Sequence, residues 1–212
     1  MKRLKAFAVG MILAAAGLMF YCGSFYITSY RQNKEAEENW KQIEQTAHTS
    51  EQTSEDHAVK QQKRKEKNKK QKIRESFGIS WENLGKINPR TVAWITVPGA
   101  DISYPVVQGD DDEFYLKHNF QDEEDLFGCI FLGKANRKDF SDSHSFLYGH
   151  NMQGNMMFAN LNRYEDPAYL EQCPEFEIIT PEKKYTYRIF SVEQAQEGST
   201  AFEYGYDLSG NA

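Results

Sequence analysis

The segment VAWITVPGADISYPVV, at residues 92–107, specifies the centre of a β-rich fold. Its first half, Val92–Val97, is dense in β-branched and aromatic residues and predicts a strand that stops at a Pro-Gly pair, which is a turn signal. Its second half, Ile102–Val107, predicts another strand. Pro105 indicates an edge position or a bulge in that strand, because proline cannot donate to a sheet ladder.

Short apolar runs continue along the chain and predict four more strands. They are Cys129–Leu132, Ser145–Tyr148, Phe176–Thr180 and Tyr185–Val192, the last two forming a hairpin around the PEKK turn at residues 181–184. The spacing of apolar residues predicts a helix over Met156–Tyr164, and Asp166-Pro167 predicts the cap and first turn of another. Many short strands with few helices predict a mainly β fold, a closed or nearly closed barrel.

Charge divides the chain into regions of different character. The 212 residues carry a net charge of −6, but residues 75–212 hold 10 basic and 23 acidic residues, a net charge of −13. Such an acidic domain repels phosphate backbones, so nucleic acid is excluded as a partner. The three cysteines are too few and too scattered for a disulfide scaffold or a cysteine zinc site. The sequence predicts no metal and no cofactor.

The first 30 residues predict a membrane anchor. Lys2, Arg3 and Lys5 precede an uncharged run whose apolar part, Ala6–Ile27, is long enough to cross a bilayer as a helix. Basic residues stay on the cytoplasmic side, so a single-pass protein with an extracellular domain at the cell membrane is predicted. The alternative is a cleaved signal peptide ending near Ala14–Ala16, although the apolar run continues past this point.

A polar spacer at residues 31–76 predicts a partly helical stalk. Nine of the fifteen residues from Lys60 to Arg74 are basic, and such a run either is simply solvated or binds acidic lipids or wall polymers. The predicted domains are therefore an anchor at 1–30, a stalk at 31–76 and a β-barrel domain at 77–212.

Two acidic clusters lie in the predicted loops, at residues 110–113 and 122–125. Their oxygen atoms could hold calcium, but neither cluster follows the spacing of an EF-hand loop. The alternative interpretation, favoured here, is that they are solvated loop acids.

The motif YGHNM at residues 148–152 is the most informative in the chain. A predicted strand runs into Gly149 and then His150, which places an imidazole at a strand end where it can face a cleft. A histidine after a glycine can also merely fill a loop, so the context of the motif decides between the two interpretations.

That context resembles the class B sortases, the membrane-anchored cysteine transpeptidases of Gram-positive bacteria. The resemblance extends from about Ser80 to Val192, and the anchor and stalk fit it. The segments that carry it are WI at 94–95, YPVVQG at 104–109, YL at 115–116, GCIFL at 128–132, YGHNM at 148–152 and MF at 157–158.

The resemblance implies an eight-stranded β-barrel with N-terminal helices. It implies cleavage of a C-terminal Asn-Pro-Gln-Thr-Asn-like sorting signal by a cysteine that forms a thioacyl intermediate, which an amine of the peptidoglycan cross-bridge then resolves. The partners are thus surface proteins that bear the signal, the cross-bridge amine and the membrane. His150 matches the catalytic histidine, and Leu116 and Tyr148 match positions that line the substrate groove. Asp112 stands where some members have Asn.

The departure from the family that matters most concerns the nucleophile and the catalytic arginine. The nucleophile of the family sits in a Thr-Leu-Ser-Thr-Cys-like strand end, and its catalytic arginine lies on the following strand; neither segment occurs here. The expectation is therefore a barrel truncated before these strands. Cys129 and Cys173 lack the nucleophile's setting, so the chain is expected to be inactive as given. The alternative function is a non-catalytic, membrane-anchored binding domain on a sortase-like scaffold.

Overall fold

A computed structural model describes residues 2–48, 77–151 and 155–194, with side chains described from Ser24 onward. The chain divides into two compact units, Met1–Lys41 and Gln42–Ala212, which are considered separately.

The first unit consists of most of helix α1, which spans Lys2–His48. No proline interrupts this segment, and Glu37 and Lys41 form an ion pair of 2.6 Å one turn apart. Among the residues whose side chains are described, no helix is apolar over the length needed to cross a membrane. The anchor predicted at residues 6–27 falls mainly on undescribed side chains, and it stays a prediction. The stalk is predicted at residues 31–76; residues 31–48 of it lie in helix α1, and residues 49–76 lie outside the described residues.

The second unit is built on one sheet with six described strands. The strands are β1 (Thr91–Val97), β2 (Ile102–Val107), β3 (Phe131–Leu132), β4 (Leu147–Tyr148), β5 (Glu175–Ile179) and β6 (Lys184–Arg188), in the order β4-β3-β2-β1-β5-β6. All neighbours are antiparallel except β2 and β3, which run parallel where Val107 faces Phe131. Helices α2 (Trp81–Ile87) and α3 (Pro167–Gln172) and three short 3-10 helices, Pro98–Ala100, Phe114–Leu116 and Ala159–Glu165, complete the described fold.

These elements confirm the mainly β prediction and the six predicted strands, of which β3, β4 and β6 are shorter than predicted. The hairpin of β5 and β6 is confirmed. Strand β2 lies between β3 and β1, but it pairs with β3 only at Val107, so at Pro105 its one described neighbour is Trp94 of β1. The register irregularity lies in β1, between Thr91 and Ala93. Closure into a barrel remains a prediction.

The two predicted helices had different outcomes. Asp166 caps α3 as predicted, because its side chain accepts a hydrogen bond from the Ala168 amide at 2.9 Å. The helix predicted over Met156–Tyr164 is instead a 3-10 helix at Ala159–Glu165. The few apolar residues of this segment do not distinguish a 3-10 helix from an α-helix, and packing determines which of the two forms.

The core of the second unit lies between the sheet and the segments that cover it. Its largest fully buried side chains include Trp94, Tyr115, Phe120, Phe131 and Leu84. The end of α1 belongs to this unit: Ile43 and Ala47 are buried, and the Ser80 amide, at the cap of α2, bonds to the Ala47 carbonyl. The folded unit therefore begins well before residue 77.

Candidate active site

His150 lies two residues beyond the end of β4, where the backbone is closely packed. A Cβ atom at Gly149 would come within 2.8 Å of the Phe158 ring and 3.2 Å of Ile130. Only glycine fits here without displacing these neighbours. Gly149 therefore lets the backbone pack closely against them where the strand ends. The backbone carbonyl of His150 accepts a hydrogen bond from the Phe158 amide at 3.0 Å, which holds the main chain in place.

A second contact fixes the imidazole ring. Nε2 of His150 lies 2.8 Å from the backbone oxygen of Leu116, a residue 34 positions earlier in the chain. Leu116 and His150 are both partly exposed, so this hydrogen bond lies at the surface of the sheet domain. The structure thus brings together two of the three predicted site residues.

Tyr148, the third predicted residue, lies on β4 two residues before His150. Its ring stacks on Phe131 of β3 with the centroids 5.0 Å apart and the planes 27° from parallel. The Tyr148 side chain is half-buried. Asn151 of the same motif exchanges side-chain hydrogen bonds with Asn162 at 3.3 Å, and Met152 lies outside the described residues.

Gly128 and Cys129 pack against the backbone of the turn that carries Leu116. The amide of Cys129 donates to the Tyr115 carbonyl at 3.1 Å. Gly128 has a φ of +56°, and a Cβ there would collide with that same carbonyl oxygen and lie 3.0 Å from the Leu116 oxygen. Asp111 caps the other end of the turn by accepting from the Phe114 and Glu113 amides at 2.7 and 2.9 Å, which lowers the pKa of its carboxyl group.

Sequence reasoning missed a buried polar network that anchors this turn. Asn88, 1% exposed, donates to the Phe120 carbonyl at 2.9 Å, to Asp122 Oδ1 at 3.0 Å and to the Tyr115 hydroxyl at 3.1 Å. The Tyr115 hydroxyl in turn donates to Asp122 Oδ1 at 2.8 Å, and the Arg90 amide donates to Asn88 at 2.8 Å. In the sequence, Asn88 before a proline shows only an ordinary turn signal, so nothing marks it as a core residue.

The network predicts a loss of stability at high pH. Burial raises the pKa of Tyr115 to about 12, so the folded state holds this proton more tightly than the unfolded state. The protonated Tyr115 hydroxyl therefore contributes fully to the free energy of unfolding below pH 10. This contribution declines between about pH 10 and pH 12, by at most about 3 kcal/mol. We expect Tyr115→Phe to flatten the pH dependence of the free energy of unfolding in urea over this range. An unchanged slope would show that other groups cause it.

Most of the acidic side chains in the two clusters form hydrogen bonds or ion pairs within the protein. Asp112 accepts from the Lys134 amide at 2.6 Å, Asp125 accepts from the Phe127 amide at 2.7 Å, and Asp110 pairs with Arg90 at 3.2 Å. Over residues 77–151 and 155–194 no three carboxylate, histidine or cysteine side chains gather as a metal site would require. These carboxylates act mainly as caps of loop amides.

Comparison with known proteins identifies the family. The sortase domain model matches residues 95–206, which include Leu116, Tyr148 and His150. The chain belongs to the sortase family. It is similar to the sortase B of Listeria monocytogenes, with 36% identity over 122 residues, 58% of this chain and 48% of the relative.

Solved class B sortases share the fold. The Staphylococcus aureus sortase B–substrate complex superposes with a TM-score of 0.65 at 25% identity, covering 84% of this chain and 73% of that one. A sortase B complexed with triglycine gives a TM-score of 0.57 at 27% identity, covering 74% of this chain and 65% of that one. The predicted resemblance to class B sortases is confirmed. The chain spans about half the length of the curated sortases it matches.

Proposed function

We propose that this sortase domain belongs to a class B transpeptidase that cleaves a C-terminal Asn-Pro-Gln-Thr-Asn-like sorting signal. The enzyme would join the surface protein to a peptidoglycan cross-bridge amine through a cysteine thioacyl intermediate. One observation carries the proposal: the His150 ring is fixed at the end of β4 by the Leu116 carbonyl, with Tyr148 on the same strand end.

The chemistry of these three side chains fits the reaction. A histidine exchanges protons near neutral pH, as thioacyl transfer requires at the leaving and the incoming amine. Leu116, whose carbonyl contacts the imidazole, and Tyr148, two residues before His150, are both partly exposed, which suits binding of an extended peptide. Relatives were solved with a substrate and with triglycine, and these ligands represent a peptide donor and an amine acceptor.

Cys129 does not suit the role of nucleophile. Its side chain is 1% exposed, and burial, with a further contribution from Asp122 and Asp125, raises the pKa of its thiol far above the ordinary value. The attacking species is the thiolate, which needs a lowered pKa and access to the substrate. Cys129 is therefore a buried core residue next to the turn that carries Leu116.

Cys173 does not suit the role either. It is half-buried after α3 and packs against Gly99, at the turn between β1 and β2, beside the Tyr164 hydroxyl. An acyl-transfer nucleophile must lie within hydrogen-bond reach of its base, whereas the contacts of His150 are with Leu116 and Phe158. We therefore infer that residues 1–212 do not cleave a sorting peptide by themselves.

The test is a cleavage assay with an Asn-Pro-Gln-Thr-Asn peptide and triglycine as acceptor. The printed chain is expected to give no product. A fused form, carrying after Ala212 the Cys- and Arg-bearing segment of a class B relative, is expected to give the transpeptidation product. Cleavage by the unfused chain that is lost in Cys129→Ala or Cys173→Ala would overturn the assignment of the cysteines. A folded fusion that binds the peptide without cleaving it would favour the alternative function, a non-catalytic binding domain.

We also propose that residues 1–30 anchor the protein in the cell membrane with its N-terminus in the cytoplasm. The uncharged run behind Lys2, Arg3 and Lys5 supports this orientation. Midway along α1, where the uncharged run ends, the helix exposes four large side chains, Phe25, Tyr26, Ile27 and Tyr30, each at least 53% accessible. Aromatic residues at the end of an apolar run are typical of the membrane interface.

Reporter fusions after Val192 test this topology. Alkaline phosphatase, which needs export for activity, is expected to be active there, whereas a reporter that works only in the cytoplasm is expected to be silent. Replacing Lys2, Arg3 and Lys5 by Glu should weaken the preference for a cytoplasmic N-terminus. Activity of the cytoplasmic reporter alone would contradict the orientation, and release of the domain into the medium would indicate a cleaved signal peptide instead.

A further inference from the structure

The partner of His150 determines which ring nitrogen carries a proton. A backbone carbonyl can only accept a hydrogen bond, so Nε2, at 2.8 Å from the Leu116 oxygen, must donate. In the neutral imidazole Nε2 therefore holds the hydrogen and Nδ1 has the free lone pair. The geometry of one carbonyl thus selects the tautomer of the proposed catalytic base.

That carbonyl is held in turn by its neighbour Tyr115. The backbone oxygen of Tyr115 accepts from the Cys129 amide at 3.1 Å. Its hydroxyl group, at the other end of the residue, donates to Asp122 at 2.8 Å and accepts from Asn88 at 3.1 Å. Tyr115 is 1% exposed, so water cannot readily replace these hydrogen bonds if they are lost.

We propose that Tyr115, held by Asn88 and Asp122, is a positioning residue that keeps the Leu116 carbonyl on Nε2 of His150 and leaves Nδ1 as the proton-transferring nitrogen. The second half of this statement rests on the proposed function, whereas the first half does not. Tyr115 acts through the turn Phe114–Leu116 and needs no contact with substrate.

The proton balance follows from this arrangement. The imidazolium ion carries hydrogens on both nitrogens; it gives the Nδ1 proton to the leaving amine and becomes the neutral Nε2–H form. It recovers a proton at Nδ1 from the incoming amine as the new amide bond forms. Nε2 keeps its hydrogen on the Leu116 carbonyl throughout, so one nitrogen serves both steps without rotation of the ring.

The experiment observes the histidine tautomer directly by NMR. The full chain, labelled with nitrogen-15 in its histidines and held in detergent micelles, is studied at a pH where His150 is neutral, and His150→Gln identifies the signals. We expect Nε2 to be protonated and Nδ1 to be unprotonated. In Tyr115→Phe we expect the Nε2 hydrogen to exchange with solvent roughly fivefold faster, as the loss of one net hydrogen bond implies, and a population of the Nδ1–H tautomer to appear.

Two variants provide matched controls. Tyr185→Phe removes a hydroxyl that donates to the Asp139 carbonyl at 2.8 Å from β6, at the opposite edge of the described sheet from β4, and should leave the His150 signals unchanged. Asp122→Asn keeps an acceptor oxygen and suits the φ of +62° at this position, so it should change the exchange rate less than Tyr115→Phe.

Each outcome is decisive. A wild-type Nδ1–H tautomer overturns the proposal, as does an Nε2 exchange rate that Tyr115→Phe leaves unchanged or that Tyr185→Phe raises equally. If the tautomer responds as expected but the fused form cleaves no peptide, the positioning role stands and the proposed function fails.

Discussion

Replacing His150 with alanine is expected to lower the cleavage rate of the fused form by about 10²- to 10⁴-fold, the usual contribution of a general acid–base residue. The leaving amine would depart without a proton donor, because the nearest described partner of the ring is the Leu116 carbonyl, which has no proton to give. The loss should fall on kcat more than on KM, since His150 is assigned to proton transfer and peptide binding to Leu116 and Tyr148.

The matched control for this variant is His144→Ala. His144 is exposed, and its ring contacts Phe146 with the centroids 4.3 Å apart, outside the contacts made by His150. Its replacement should leave the cleavage rate within about twofold, on the order of 0.4 kcal/mol. If the two variants lose similar activity, or if His150→Ala retains full activity, the proton-transfer assignment is wrong.

Gly128→Ala is expected to destabilise the second unit by about 2–4 kcal/mol. A left-handed backbone conformation costs an alanine roughly 1–2 kcal/mol, and the contact of its Cβ with a carbonyl oxygen adds to this. At Gly128 the obstructing atoms are backbone atoms of Tyr115 and Leu116, which cannot rotate away. The free energy of unfolding in urea measures the effect.

Gly85→Ala gives the opposite sign and serves as the control. Gly85 lies within α2, is exposed, and has no heavy atom within 4 Å of a Cβ built there. Alanine should therefore stabilise the helix by about 0.5–1 kcal/mol. Equal destabilisation by both variants would mean that loss of a glycine, rather than the left-handed turn under Leu116, is responsible.

The strands were predictable because their signal is local. The apolar runs around Trp94, Val106, Phe131 and Ile178 each match a described strand, since β-branched and aromatic residues favour the pleated conformation wherever the partner lies. The cap at Asp166 was predictable for the same reason, because a side chain and the amides of the next turn decide it.

The contacts of the site were not predictable, because they join distant parts of the chain. His150 meets Leu116 across 34 positions, and Asn88 meets Asp122 across the same separation. Neither pair has a periodic pattern that reports its partner, and an asparagine is more often exposed than buried. The resemblance to sortases indicated candidate residues for the site, but the hydrogen bonds that hold them follow only from the fold.

The end of α1 has a consequence for the connectivity of the folded unit. Thr46 and Ala47 bond to Asn83 and Ser80, and the His48 ring meets the edge of Trp94 at 5.7 Å. Residues 42–48 are thus attached to the sheet domain by non-covalent contacts as well as through the chain. A proteolytic cut between residues 49 and 76 would leave two fragments with complementary surfaces, so the separated pieces should reassociate on mixing, as an enzyme reconstituted from its parts does.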